Sequence, residues 1–210
     1  MIKYISLKEV RLLKKQKPKL NIAATCPSIK SLGPGSRFVI WVQGCCFACA
    51  GCSSPQWRES KEATLLAPED LAKEILETPG IDGVTISGGE PMLQADLLWR
   101  LVKEIRTVKP LSIICYTGFT LKELKEKRDL KINAFISEID VLIDGLYIDK
   151  FNDNKGLRGS SNQKVHFLSG TYKEFADSFL LSKRKIELHL FQDEYLVVGI
   201  KPHEIKNLKI

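Results

Sequence analysis

The chain has 210 residues, 44% of them hydrophobic and 27% charged, with a net charge of +7. That length allows one domain with a substantial buried core, and the balance excludes a low-complexity or unfolded chain. No apolar stretch approaches the roughly 18 residues of a membrane span, and no secretory signal is evident, so no membrane partner and a cytoplasmic setting are expected. In that setting the six cysteines are expected as thiols or metal ligands, not disulfides.

Residues 1–20 hold Lys3, Lys8, Arg11, Lys14, Lys15, Lys17 and Lys19 against Glu9, a net +6 that leaves +1 for the remainder. They read as a solvated basic N-terminal arm, and a nucleic-acid partner is not expected. Residues 21–210 read as a single domain, since no Pro-, Gly- or Ser-rich linker divides them. Arg37 to Val42 predicts a buried strand that runs into a cysteine loop. Pro68 predicts a helix start, with Glu69 and Asp70 complementing its dipole, Leu71, Ala72, Ile75 and Leu76 on one face and Pro79-Gly80 as the stop. Val84 to Ser87 predicts a second strand, and Leu97, Leu98, Leu101, Val102 and Ile105 form the stripe of a second helix.

Further strands are predicted over Leu111 to Tyr116 and Val141 to Asp144, with a short helix from Leu121 to Lys127 between them. Alternation of buried strands and amphipathic helices implies βαβ units around a parallel sheet, with a site beyond the strands' carboxyl ends. Ile186 to Leu190 and Tyr195 to Val198, flanking Gln192-Asp193-Glu194, predict an antiparallel hairpin.

Cys45, Cys49 and Cys52 fall in one short loop with C-x3-C-x2-C spacing. An iron–sulfur cubane is usually held by four cysteines, so three leave one iron open. A closed zinc site remains the alternative, with Cys46 or Cys26 as a fourth ligand. Cys115, inside an apolar strand, reads as a small buried hydrophobe, and Trp57 as either a shield for the loop or core packing. Gly88-Gly89-Glu90-Pro91 follows the next strand. Two glycines let a backbone approach a ligand closely, and a carboxylate can hold an amine. His166, His189 and His203 have no ligand spacing.

The cysteine loop together with Gly88-Gly89-Glu90 resembles the radical S-adenosylmethionine superfamily. Gly33-Pro34-Gly35-Ser36-Arg37, the cysteine loop with Gly51, Tyr116-Thr117-Gly118-Phe119-Thr120, Asp144-Gly145 and Arg158-Gly159-Ser160-Ser161-Asn162-Gln163 narrow this. They resemble the glycyl-radical-enzyme activating enzymes of the anaerobic ribonucleotide reductase type, over roughly residues 22–168. The resemblance implies an incomplete, open (βα) barrel with a C-terminal antiparallel hairpin. It implies a [4Fe-4S] cluster on Cys45, Cys49 and Cys52, and S-adenosylmethionine against Gly51, Gly88, Gly89, Glu90, Thr117 and Asp144. It also implies hydrogen abstraction from a glycine Cα of a partner glycyl radical enzyme, with a flavodoxin or ferredoxin-type electron donor. A peptide or small molecule is the alternative substrate, and a non-catalytic zinc or iron–sulfur module is the alternative of another class. Ser53-Ser54 after the last cysteine and Leu146 after Asp144-Gly145 depart from the pattern. Arg158 reads either as a carboxylate binder or as a surface ion pair.

Overall fold

The computed structural model describes residues 17–190 and 195–202. Lys3, Lys8, Glu9, Arg11, Lys14 and Lys15 of the basic arm, Gln192-Asp193-Glu194 and His203 lie outside these residues. The strands are β1 (Leu20–Ile29), β2 (Arg37–Val42), β3 (Thr64–Leu66), β4 (Gly83–Gly88), β5 (Ser112–Tyr116), β6 (Val141–Asp144) and β7 (Lys164–Phe167), followed by β8 (Ile186–Leu190) and β9 (Tyr195–Gly199). The helices are α1 (Pro68–Glu77), α2 (Ala95–Arg106), α3 (Leu121–Glu126), α4 (Leu130–Ile136) and α5 (Ala176–Leu180).

The first seven strands form one sheet in the order β3-β1-β2-β4-β5-β6-β7, and β8 and β9 pair separately. Strands β2, β4, β5 and β6 are parallel, as the alternation predicted. The flanks differ from that prediction. β1 runs antiparallel to both β2 and β3, and β7 runs antiparallel to β6. β3 and β7, at three and four residues, are too short to show a period. β1 is interrupted near Pro27 and Ser28, where Ser28 has φ +63 and the register shifts between Cys26 and Ile29. Its first residue, Leu20, is fully buried, so the sheet begins inside the segment read as an arm. Lys17 meets Glu69 at 3.1 Å on the surface.

Alternation along the central strands sends side chains to two different cores. Phe38, Ile40, Val42, Val84, Ile86, Ile113, Cys115 and Leu142 pack against the buried stripes of α1, α2 and α4. Val39 and Trp41 face the other way, joining Cys26, Ile29, Leu32 and Val198 of the hairpin. Ile114, Val141 and Ile143 do the same with Tyr172 and Phe179. Helices therefore cover one face of the sheet, and the C-terminal segments cover the other. Helix α4 was not legible in advance. Its seven residues follow Asp129, whose carboxylate accepts the Lys131 and Ile132 amides, and only Ile132 and Phe135 are buried.

Candidate functional site

The cysteine loop leaves β2 at its carboxyl end and is laced at both sides of its neck. Gly44 N donates to Trp57 O at 2.9 Å, Cys45 N to Arg58 O at 2.9 Å, and Gln43 Nε2 to Glu59 O at 2.6 Å. Within the loop, Gly51 has φ +74, and a Cβ there would press on Asp149 and Tyr147 at 3.2–3.3 Å, so glycine lets this turn sit against the chain after β6. Cys45, Cys49 and Cys52 are half-buried free thiols that line one cavity. Cys46 is exposed and outside that lining; Cys26 is buried in β1 opposite Val39, and burial pushes its thiol up to about 11. Burial also raises the Cys45 and Cys49 thiols, opposed at Cys45 by the Phe47 amide 3.4 Å from its sulfur.

Among the described residues, no three or more His, Cys, Asp or Glu side chains are grouped to hold one metal ion. A cubane takes one thiolate per iron, so its ligands stand around a volume instead of a point. Three uncombined, soft sulfur donors around one cavity fit such a cluster.

The Gly88-Gly89-Glu90 segment crosses directly over the start of this loop. Gly89 N donates to Val42 O at 2.7 Å and Glu90 N to Gly44 O at 2.8 Å. A Cβ on Gly88 would lie 2.6 Å from Val42 O, and one on Gly89 2.6 Å from the Gly44 carbonyl carbon. The glycines thus allow two stretches of backbone to touch, a demand separate from any ligand. Glu90 is 1% exposed and is held by its own fold. Its Oε1 accepts Met92 N at 2.9 Å and Thr117 Oγ1 at 2.8 Å, and its Oε2 accepts Gly118 N at 2.8 Å. Burial raises its pKa against the pull of those three donors. The carboxylate ties the ends of β4 and β5 together, and its Oε2 keeps a lone pair for one more donor.

The walls come from elements distant in sequence. Trp57 packs on Trp41 with ring centroids 5.3 Å apart and tilted by 42°, and it also lines the cavity. Phe47 meets Phe119 at 4.7 Å and lies over Gly118, where a Cβ would come within 2.6 Å of its ring. Ser53 and Ser54 line the cavity as well. Sequence reasoning missed Arg58, Tyr147 and the hairpin residues Val197 to Lys201 in this lining. Nothing in their local pattern marked them.

The Arg158 to Gln163 stretch proves to be a braced loop. Gln163 Oε1 accepts the Gly159 and Ser160 amides at 2.8 and 3.1 Å, and its Nε2 donates to Gly145 O at 2.7 Å, which fixes Gln163 in the wall. Arg158 pairs with Asp153 at 2.9 Å and is not in the lining, so the ion-pair reading holds. Asp144 lines a neighbouring cavity that shares Phe47, Gly118 and Gly145 with the cysteine cavity. Its Oδ2 accepts Leu121 N at 2.6 Å and pairs with His166 Nε2 at 2.8 Å, while Oδ1 accepts Lys164 N at 3.3 Å. This strand-end carboxylate caps α3 and holds β7. Gly33-Pro34-Gly35 is likewise structural. Ser36 N donates to Asp82 Oδ2 at 2.7 Å, and the fully buried Arg37 clamps β4, β5 and Tyr172 through Thr85, Val84 and Ser112, at the end of the sheet opposite the cysteines.

Residues 31–166 match the family described as a 4Fe-4S single cluster domain. An anaerobic ribonucleoside-triphosphate reductase-activating protein of Vibrio cholerae serotype O1 is 34% identical over 148 residues, covering 64% of this chain and 89% of that protein. The protein of that name from Escherichia coli K12 is 34% identical over 144 residues, at 65% and 91% coverage, and that of Enterobacteria phage T4 is 31% identical over 139, at 63% and 85%. The crystal structure of QueE from Escherichia coli is a distant likeness, with a TM-score of 0.42 and 23% identity over 49% of this chain and 54% of that one. With three free thiols around one cavity and these relatives matched over most of their length, the chain belongs to the family of anaerobic ribonucleoside-triphosphate reductase-activating proteins, built on a 4Fe-4S single cluster domain.

Proposed function

We propose that this chain is a radical S-adenosylmethionine enzyme that installs a glycyl radical on a partner anaerobic ribonucleotide reductase. One observation carries the reading: Cys45, Cys49 and Cys52 line the same cavity as Gly88, Gly89 and Glu90, at the carboxyl ends of β2 and β4. A [4Fe-4S] cluster held there would pass one electron from an external donor to S-adenosylmethionine, whose C5′–S cleavage to methionine and a 5′-deoxyadenosyl radical would supply the means to remove a hydrogen atom from a glycine Cα of the partner, giving 5′-deoxyadenosine. Cys45, Cys49 and Cys52 hold the cluster. Gly51, Gly88, Gly89, Glu90 and Thr117 form the surface that receives the cofactor, and the free acceptor position on Glu90 Oε2 suits an amine. Asp144 acts one layer behind, keeping α3 and β7 in place.

Phe47, Phe119, Trp41 and Trp57 surround the loop with apolar surface that keeps water from a reactive centre. The sheet would curve as an incomplete, open (βα) barrel, leaving its mouth accessible to another protein. A flavodoxin or ferredoxin-type protein would deliver the electron in the cytoplasm. Residues 21–210 would work as one domain, with the basic arm outside the chemistry. Anaerobic reconstitution tests the reading: about four irons and four sulfides are expected, with 5′-deoxyadenosine released on reduction and a glycyl radical in the partner by electron paramagnetic resonance. A reconstituted, reduced protein that releases no 5′-deoxyadenosine would refute it.

A further inference from the structure

The two faces of the C-terminal hairpin meet different surroundings. Leu188 stands opposite Val197 and Leu190 opposite Tyr195, and residues directly opposite in an antiparallel pair project to the same side. One face therefore carries Leu188, Leu190, Tyr195 and Val197, and the other carries Glu187, His189, Leu196 and Val198. The second face is docked on the body of the protein. Val198 is 1% exposed, and Leu196 packs beside it against Cys26, Ile29 and Trp41. The Glu187 carboxylate accepts the Lys30 and Ser31 amides at 2.8 and 2.5 Å, and Ser31 Oγ donates to Val198 O at 3.3 Å.

Among the described residues, the first face carries no charged side chain and runs outward from the site. Val197, at 8% exposure, lines the cysteine cavity, as Val198 of the docked face also does, whereas Leu188, Leu190 and Tyr195 are 60%, 76% and 69% exposed. Large apolar side chains gathered in one exposed patch mark a binding surface more often than scattered ones do. A protein substrate puts a specific demand on this rim. Glycine has no side chain to reach with, so its Cα must itself enter the cavity while the residues on either side lie against the mouth. The patch is continuous with the cavity through Val197, and it is the opposite face that fastens the hairpin to the core.

Resting on the activase reading above, we propose that this outer face of the hairpin docks the partner reductase, taking an extended segment that carries the target glycine, with its apolar neighbours over Leu188, Leu190 and Tyr195. A Leu190→Glu/Tyr195→Glu double variant tests it, with Leu190→Met/Tyr195→Phe as the conservative control. The probe is the purified anaerobic ribonucleotide reductase of the same organism, and its binding to the reconstituted protein is measured directly. The charged variant should bind at least about tenfold more weakly, as loss of central apolar contacts does elsewhere, while the control binds like the parent. Iron content and partner-independent 5′-deoxyadenosine release should be unchanged in both. Equal binding by parent and charged variant overturns the proposal, as does failure of the parent to bind. A variant that only converts a dimer to a monomer, with reductase binding intact, assigns the face to a second copy and also overturns it. Absent 5′-deoxyadenosine release in the parent would count against the proposed chemistry, and binding would still decide the docking surface.

Discussion

Replacing Gly89 by alanine probes the contact on which the site is built. A Cβ there would sit 2.6 Å from the Gly44 carbonyl carbon and closer still to its oxygen, with backbone on both sides and no flexible side chain to move away. Relief requires separating the segment that carries Glu90 from the neck of the cysteine loop. That movement stretches the hydrogen bonds from Gly89 N to Val42 O and from Glu90 N to Gly44 O, now 2.7 and 2.8 Å. Overpacking costs about 1–3 kcal/mol and each of the two lost hydrogen bonds about 1 kcal/mol, so Gly89→Ala should destabilise the protein by about 3–5 kcal/mol. In anaerobic urea unfolding of the cluster-free protein, the midpoint should fall with little change in slope. Reconstituted iron should fall too, because the cysteine loop shifts with its neck. Gly170, where an added Cβ meets nothing within 4 Å, supplies a control that should be near neutral as Gly170→Ala. Equal midpoints for Gly89→Ala and Gly170→Ala would refute the close-approach reasoning.

Other expectations concern the ligands, the buried carboxylate and the distant arginine. Cys45→Ala, Cys49→Ala and Cys52→Ala should each lose the cluster on reconstitution, whereas Cys46→Ala and Cys26→Ala should keep it by iron and sulfide analysis; cluster loss in Cys46→Ala would mean the first ligand is misassigned. Burial raises the Glu90 pKa, so the native state holds its proton more tightly than the unfolded chain. Glu90 thus makes stability fall as pH rises from the ordinary carboxylate range through its raised value. The stability of the parent relative to Glu90→Gln should therefore decline with rising pH in paired denaturation curves, and a difference that grows with pH would reverse the assignment. Arg37→Met leaves the buried Thr85, Val84, Ser112 and Tyr172 oxygens short of a donor and should cost about 3 kcal/mol in the same assay. It should do so without changing iron per folded molecule, because Arg37 sits at the other end of the sheet.

What could be read from residues alone was local and periodic. β2, β4, β5 and β6 announced themselves as apolar runs, and α1 and α2 as 3.6-residue stripes with recognisable ends. The three-cysteine loop and Gly88-Gly89-Glu90 stood out because thiols and paired glycines are costly as filler, and their order along the chain carried the family resemblance. The sheet flanks were not legible, since β3 and β7 are too short for a period and β1 is broken at Ser28. The roles of particular polar groups were not legible either. Asp144 stands at a strand end, where no local pattern records that its oxygens meet Leu121, Lys164 and His166.

The chain by itself determined its central parallel strands, its cysteine loop and the chemistry those donors suit, because each depends on neighbours a few residues apart. Only the tertiary structure decided that Gly88 and Gly89 serve a backbone crossing, that Glu90 ties β4 to β5, and that Asp144 joins α3 to β7. It also brought Tyr147, Gln163 and Val197 into the wall beside the cysteines. The physical reason is the same in each case. A hydrogen-bond acceptor or an apolar face is satisfied by whatever lies nearest in space, and over separations of 27 to well over a hundred residues no local pattern records which partner that is.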